Sequence, residues 1–268
     1  MSLLLGPIVA LLLASTTALL TPARQATPPP DPALIPPVVW ELRSIETNDA
    51  TVDVGGPAAY TVQFLPDGML GVRADCNLGS GLYLVGGGTI EVGPIRTTRM
   101  RCPPRSIDQT FLQGLGAAVS WSFRDDRLWL ESASLAETLV FAPRLTGVVW
   151  EWQDFEGGSD RGIVPADPAD YAIEFLADGR FALAADCNGG GGPYATDGPS
   201  IGLQLAVITE AVCDSPATDR AFLQVIAEAS SFVFENGDLY LALPADAGIA
   251  RFTARPLAPD SAATPVVG

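Results

Sequence analysis

The side chains that could do chemistry in this chain are carboxylates and cysteines, because the sequence contains no histidine. Without histidine, the Ser-His-Asp and Cys-His forms of nucleophilic catalysis lack their usual general base. Two carboxylates could still hydrolyse a glycoside, and the best candidates are Asp75 and Asp186, which occupy equivalent positions of an internal repeat. They stand 111 residues apart, each beside a cysteine, and we expect both to have structural roles in turns. The sequence therefore predicts no catalytic residues.

The four cysteines, two in each copy of the repeat, allow three disulfide connectivities. A bond within each copy must already have worked in a single ancestral domain, which favours Cys76 with Cys102 and Cys187 with Cys213. Each bond should stabilise the fold by about 3–4 kcal/mol in the chain-entropy model. Free thiols and a metal site are the alternatives, but two thiolates per copy without histidine do not make a structural zinc site. The sequence thus predicts two disulfides and no metal or cofactor.

Two further features adjoin the cysteines. Asn77 and Asn188 follow Cys76 and Cys187 directly, and an asparagine at the end of a strand usually bonds its own backbone. The glycine run 189–192 lacks the Lys-Ser/Thr of a phosphate-binding loop. We therefore interpret the glycine run as a flexible tight loop.

The repeat itself covers most of the chain. Positions 60–141 match the sequence 111 residues further on without a gap, with 27 identities in 82 positions. Trp40 matches Trp150 at a shift of 110, so the only difference in length falls before Tyr60. A period this long indicates a duplicated domain and not a solenoid. Two domains of ordinary size also fit a chain of 268 residues.

Each copy predicts mainly β-strands and one helix. A strand that begins near a tryptophan opens each copy, over 38–42 and 148–152. Alternating apolar residues over 60–64 predict a half-buried strand, and Asp67-Gly68 predicts the hairpin turn that follows it. Further along, apolar residues spaced by four over 107–115 predict the helix.

The N-terminus predicts export. Residues 3–20 are almost all apolar, and small residues favour cleavage after Ala23. An uncleaved anchor is the alternative, because about 18 apolar residues can span a bilayer. Prolines crowd 26–37, which predicts an extended spacer or a disordered leader. The predicted organisation is a signal peptide over 1–23, a Pro-rich linker over 24–37, domains over 38–143 and 148–256, and a disordered tail over 257–268.

The charge is one-sided, with 31 acidic residues against 15 basic ones and a formal net charge of −16. Affinity for nucleic acids comes mostly from lysine and arginine that neutralise phosphates. A surface this acidic repels phosphate backbones and anionic lipids, and it keeps an exported protein soluble. Nucleic acid is therefore excluded as a partner, and we expect at most an N-terminal membrane anchor.

An ordered set of residues occurs in both copies and resembles the META domain, the family of the heat-shock protein HslJ. The shared pattern is Asp-Cys-Asn, then Gly-x-Tyr, then Thr-x-x-x-Cys. The family usually has glycine where both copies have aspartate, and only the first copy keeps the methionine of the Thr-x-Met-x-Cys signature. Besides the cysteines, the family-motif residues are Asp75, Asn77, Tyr83, Thr98 and Met100 in the first copy, and Asp186, Asn188, Tyr194 and Thr209 in the second.

The resemblance implies an α+β, mostly β fold: two copies of a small domain, each a curved antiparallel sheet packed on one helix. It also implies a protein of the cell envelope or the secreted fraction, linked to stress response, with no general catalytic activity. The leading hypothesis is an exported, non-enzymatic module that binds an unknown protein or envelope component. One alternative is an inhibitor-like protein that presents the loops 47–57 and 154–170 to a secreted enzyme. The other is the carboxylate-based hydrolase.

Overall fold

The computed structural model describes residues 34–157, 162–213 and 216–257, which form two similar β-rich units. The predicted signal peptide, most of the Pro-rich linker and most of the predicted tail lie outside these residues. The elements of the first unit are β1 (Val39–Thr47), β2 (Thr51–Asp53), β3 (Tyr60–Phe64), β4 (Met69–Ala74), β5 (Asn77–Gly86), β6 (Thr89–Val92), β7 (Arg96–Thr97), α1 (Asp108–Ala117), β8 (Ser120–Arg124), β9 (Arg127–Ser132) and β10 (Glu137–Pro143).

The second unit repeats this order, except that in the place of β2 its described residues have an isolated bridge between Phe155 and Ile163. Its elements are β11 (Val148–Gly157), β12 (Tyr171–Phe175), β13 (Arg180–Ala185), β14 (Asn188–Asp197), β15 (Ser200–Leu203), β16 (Val207–Ile208), α2 (Pro216–Glu228), β17 (Ser231–Glu235), β18 (Asp238–Ala242) and β19 (Gly248–Pro256). Short 3-10 helices precede β3, β12 and β19. The mostly β, α+β class and the one helix per copy are thus confirmed.

Each sheet closes on itself into an eight-stranded antiparallel barrel, which corrects the predicted curved sheet. In the first unit, β1 pairs with β3 on one side and with β10 on the other, so the order β1-β3-β4-β5-β6-β8-β9-β10 forms a ring. The second ring is β11-β12-β13-β14-β15-β17-β18-β19. A bulge between Leu42 and Ser44, matched by one between Trp152 and Asp154, bends the strand that closes each ring. The short strands β2, β7 and β16 pair outside the rings.

The inward-facing residues of the strands fill the barrels, and the helices add to the same core. Trp40 and Trp150 are fully buried, and the indole nitrogen of each donates to a backbone carbonyl, of Pro36 and Leu145 respectively. The helix α1 contacts β4, β6, β9 and β10, which lie on different sides of the ring, so it covers one end of the barrel. Its residue Phe111 is fully buried, as the apolar spacing predicts.

The two barrels belong to one compact unit, and their buried apolar residues form one continuous cluster. The connecting segment contacts both: the Arg144 amide donates to Val39, and Thr146 forms a parallel bridge with Phe175. A second contact joins Gly237, in the turn between β17 and β18, to Pro36. A Cβ added to Gly237 would lie 2.7 Å from the proline ring. The last residues of the Pro-rich segment are therefore packed against the second barrel.

None of the helices in the described residues is long and apolar enough to cross a membrane. The apolar segment 3–20, on which the predictions of a signal peptide and an anchor rest, lies outside those residues.

Candidate functional site

The candidate carboxylates occupy equivalent two-residue turns. Asp75 is the first turn residue between β4 and β5, and Asp186 has the same place between β13 and β14. Both have positive φ, 57° and 54°, a conformation that glycine adopts freely and aspartate tolerates better than most residues. Their backbone amides donate to Ala59 and Asp170, which ties each turn to the preceding 3-10 helix. The shared geometry explains why the family usually has glycine at this position.

Both expected cysteine pairings are present in the structure. Cys76 is bonded to Cys102 and Cys187 to Cys213, with Cα–Cα distances of 5.4 and 5.6 Å, and each bond spans 26 residues. In the chain-entropy model, a loop of this length corresponds to about 3.5 kcal/mol per bond. Donor atoms of Asp186, Cys213 and Asp219 lie within 4.8 Å of one another, but a disulfide sulfur is not the thiolate that a metal site needs.

The asparagine after each turn bonds a distant loop and not its own backbone, so the expectation for Asn77 and Asn188 was wrong. Asn77 Oδ1 accepts from the Met100 amide at 2.7 Å and from the Thr98 hydroxyl at 3.0 Å, and its Nδ2 donates to the Met100 carbonyl. Asn188 makes the same bonds to Ala211 and Thr209. Each side chain thus fixes the loop that carries the second cysteine of its copy.

The threonine and tyrosine of the motif complete this arrangement. The Thr98 and Thr209 hydroxyls accept from the first backbone amide after each asparagine, 3.1 and 3.0 Å away. The hydroxyls of Tyr83 and Tyr194 donate to backbone carbonyls of the hairpin turns at Leu65 and Leu176. Burial, and secondarily a nearby aspartate, raises the pKa of both tyrosines. These motif residues hold hairpins and loops together.

The methionine of the motif differs from its neighbours, because the backbone of Met100 is held by Asn77 while its side chain is 64% exposed. In the second copy, Ala211 is held through its backbone in the same way. The fold therefore uses only the backbone at this position.

The glycine run 189–192 belongs to strand β14, which corrects the interpretation as a flexible loop. A Cβ on Gly192 would be 1.8 Å from the Gln204 carbonyl oxygen, and one on Gly191 would be 2.4 Å from the Phe181 carbonyl oxygen. Contacts under 3.0 Å are not found between real Cβ atoms and their neighbours. Neighbouring backbone therefore leaves no room for a side chain at Gly191 and Gly192, and the same holds at Gly190, whereas a Cβ on Gly189 would make only an ordinary contact of 3.8 Å.

The sequence reasoning missed a row of exposed leucines on the outer face of β5. Leu78, Leu82 and Leu84 are 60%, 65% and 71% exposed, and Met69 lies opposite Leu82 on β4 with 39% exposure. The sequence does contain a signal for this row. The three leucines stand at even positions of the strand and Tyr83 at an odd one, so they face away from the side that buries Tyr83. The second copy has glycine, proline and alanine at the three leucine positions, so its barrel lacks the row.

The two loops considered for an inhibitor are partly ordered by pairing. Within 47–57, strand β2 pairs with β1, and the Thr47 amide donates to the Ala50 carbonyl. Within 154–170, β11 continues to Gly157, residues 158–161 lie outside the described part, and Phe155 and Ile163 exchange two backbone hydrogen bonds.

Comparison with known proteins gives a family and two structural relatives. The model of the META domain matches residues 34–144 and 143–256. No curated protein matches the chain. Among solved structures, a DUF4847 family protein from Bacteroides vulgatus is 16% identical with a TM-score of 0.34, and the match covers 42% of this chain and 96% of that one. A protein from Burkholderia xenovorans, solved by NMR, is 22% identical with a TM-score of 0.35, covering 46% of this chain and 97% of that one. Since the two matches together cover nearly all of the described residues, the chain belongs to the META domain family and carries two consecutive copies of the domain.

Proposed function

We propose that this protein is an exported, non-enzymatic META-domain module that binds a protein partner in the cell envelope as part of a stress response. The leucine row of the first barrel, defined as Met69, Leu78, Leu82 and Leu84, is the observation that carries the proposal. Exposed apolar side chains that are grouped on one face mark interaction sites more often than scattered ones do.

The surroundings of the leucine row support a protein partner. Arg73 lies opposite Leu78 on β4, and Glu91 lies opposite Leu84 on β6, and both charged side chains are exposed. An apolar centre with a charged rim is the usual composition of a protein interface. Since the barrel is closed and β5 is paired on both sides, a partner would bind through side-chain packing and not by adding a strand.

Two further observations support export and a non-enzymatic role. Disulfides persist in oxidising compartments outside the cytosol, and this chain has one in each copy. The polar side chains of the family motif are engaged within the fold, as the bonds of Asn77 and Tyr83 illustrate. Such residues serve the architecture of the domain and leave partner binding to its surface.

The test is photo-crosslinking from a probe placed at Ser80, between the leucines on β5, in living cells of the source organism. We expect a discrete crosslinked protein that disappears in the variant Leu82→Ser/Leu84→Ser. The control is Val212→Ser, which removes a fully exposed apolar side chain from the second copy. Equal crosslinking in all three proteins would refute the role of the leucine row. Glycoside hydrolysis that is lost in Asp75→Asn would instead favour the hydrolase.

A further inference from the structure

The second barrel has a groove of about 590 Å³ on its surface, formed by β11, β17, β18 and β19. Val233 and Ile249 contribute apolar walls and are about half exposed. Tyr240 lies opposite Val233 on one neighbouring strand and opposite Arg251 on the other. Arg251 belongs to the lining, but Asp154 and Asp238 already hold its guanidinium, at 2.6 and 3.3 Å. Among the described residues that line the groove, Arg251 is the only cation, and it is neutralised within the fold.

The acidic residues outnumber this arginine. Four carboxylates against one guanidinium give a formal charge of −3 at the groove, from Asp154, Glu156, Glu235, Asp238 and Arg251. Glu156 and Glu235 are exposed and form no ion pair within the described part of the chain. Burial, and then the charges of Asp238 and Glu235, raise the pKa of Tyr240, so negative charge acts directly on this ring.

On the equivalent surface of the first barrel, an arginine of the protein itself lies over an aromatic ring. There, the guanidinium of Arg124 lies over the ring of Trp129, 5.0 Å from its centroid, in a cation–π contact. By the 111-residue register of the repeat, Glu235 replaces Arg124 and Tyr240 replaces Trp129. The second barrel has thus kept an aromatic ring, lost the cation above it and put a carboxylate in its place.

The residue opposite the aromatic ring on the next strand also differs between the barrels: it is Val140 in the first and Arg251 in the second. In the first barrel, Val140 pairs with Ser44 and is fully buried. The equivalent pair in the second barrel is Arg251 with Asp154. The first barrel therefore carries a cation of its own on this surface, where Arg124 contacts Trp129 and Glu131, whereas the equivalent surface of the second barrel is acidic and, among the described residues, has no such side chain over its ring.

We propose that this groove binds an arginine side chain from an extended segment of a partner protein. The guanidinium takes the place over Tyr240 that Arg124 has in the first barrel, within reach of the Glu235 carboxylate. The aliphatic stem of the ligand packs along Val233 and Ile249, as long basic side chains do on apolar surfaces. The inference does not depend on the leucine row, which lies on the other barrel.

The experiment measures binding of two capped peptides to the full-length protein by NMR titration, following the resonances of β17 and β18. One peptide is Ala-Val-Arg-Val-Ala, and the other carries citrulline, the neutral isostere of arginine, at the third position. The variant Glu235→Arg introduces the residue that the first barrel has at this place. The control Glu210→Arg makes the same change of charge at an exposed loop position outside the groove.

We expect saturable binding of the arginine peptide, with binding of the citrulline peptide weaker by about tenfold or more. Glu235→Arg should weaken binding of the arginine peptide to a similar degree. Glu210→Arg should leave the affinity for that peptide within about twofold at physiological salt, where distant charges are screened. The proposal is overturned if the arginine peptide does not bind, if citrulline binds equally well, or if both variants weaken binding alike. Partner capture through the leucine row would be unaffected by any of these results.

Discussion

Replacement of Asn77 by alanine tests whether the motif asparagine stabilises the fold by joining its turn to the loop at 98–100, an arrangement called the clasp below. The side chain is 6% exposed and connects the end of the β4–β5 turn to a loop 23 residues away. The substitution deletes two bonds accepted by Oδ1, from the Met100 amide and the Thr98 hydroxyl, and one donated by Nδ2 to the Met100 carbonyl. It leaves the disulfide between Cys76 and Cys102 intact.

The expected magnitude follows from these three bonds. Each contributes about 1 kcal/mol net, and a buried group left without a partner costs somewhat more. We therefore expect Asn77→Ala to lower the free energy of unfolding by about 3 kcal/mol. Asn188→Ala removes the same bonds at a more exposed site, where water can replace them, so its effect should be about 1–2 kcal/mol.

The assay is urea unfolding of the oxidised protein, followed by circular dichroism and by hydrogen exchange at the Met100 amide. Gln113→Ala, at an exposed position of α1, is the control for loss of an amide side chain. Faster exchange at Met100 should accompany the loss of stability in Asn77→Ala only. A cost below about 1 kcal/mol, or a larger cost in Asn188→Ala, would refute the clasp.

Three other predictions concern backbone space, turn geometry and pH. Gly192→Ala should lower the free energy of unfolding in urea by about 3 kcal/mol or more, because its Cβ would overlap the Gln204 oxygen. The control is Gly71→Ala, whose Cβ would have nothing within 4 Å, and its stability should stay within about 0.5 kcal/mol of the parent. In calorimetry, Asp75→Val should cost about 1–2 kcal/mol because φ is positive there, and Asp75→Gly should not lower the melting temperature. Stability should fall as the pH rises above about 10. Folding raises several phenol pKa values, so the unfolded state loses these protons at a lower pH than the native state does. An absorbance titration of the native protein in which all phenols ionise near pH 10 would contradict this. The phenols concerned are Tyr83, Tyr171, Tyr194 and Tyr240.

The sequence predicted local structure well, because local signals determine it. The strand over 60–64, the turn at Asp67-Gly68 and the apolar face of the helix through Phe111 all appear in the structure. The strand is more buried than its alternation predicts, because Thr61 is buried as well. The repeat added what single residues could not, since it reduced three disulfide connectivities to the one that is present. These features depend on neighbours in sequence or on the register of the duplication.

Barrel closure could not be predicted, because alternation tells which face of a strand is buried but not which strand lies beside it. The pairing of β1 with β10 joins residues about 100 positions apart, such as Trp40 and Pro143. The glycine run was misinterpreted for a related reason. Glycine favours loops by its local freedom, but at Gly192 it is required by a segment that crosses the strand in space.

The surfaces of the two copies were the hardest part to foresee. The leucine row and the acidic groove each occur in one barrel only, so the repeat offered no support for either. The change from Arg124 to Glu235 is visible in the aligned copies, but its meaning depends on the ring that the structure places beneath it. Duplicated domains share their core pattern and differ in what they expose.

The contact between Pro36 and Gly237 has a consequence for biosynthesis. The ribosome makes the whole first barrel, up to Pro143, about 90 residues before it reaches this turn. At typical rates of 5–20 residues per second, the delay is about 5–20 s. An added Cβ on Gly237 would lie 3.4 Å from the indole of Trp40, so the nascent first barrel keeps this side of its tryptophan uncovered during the delay. In the newborn chain, this edge of the first barrel's core is therefore covered only when the second copy has been made.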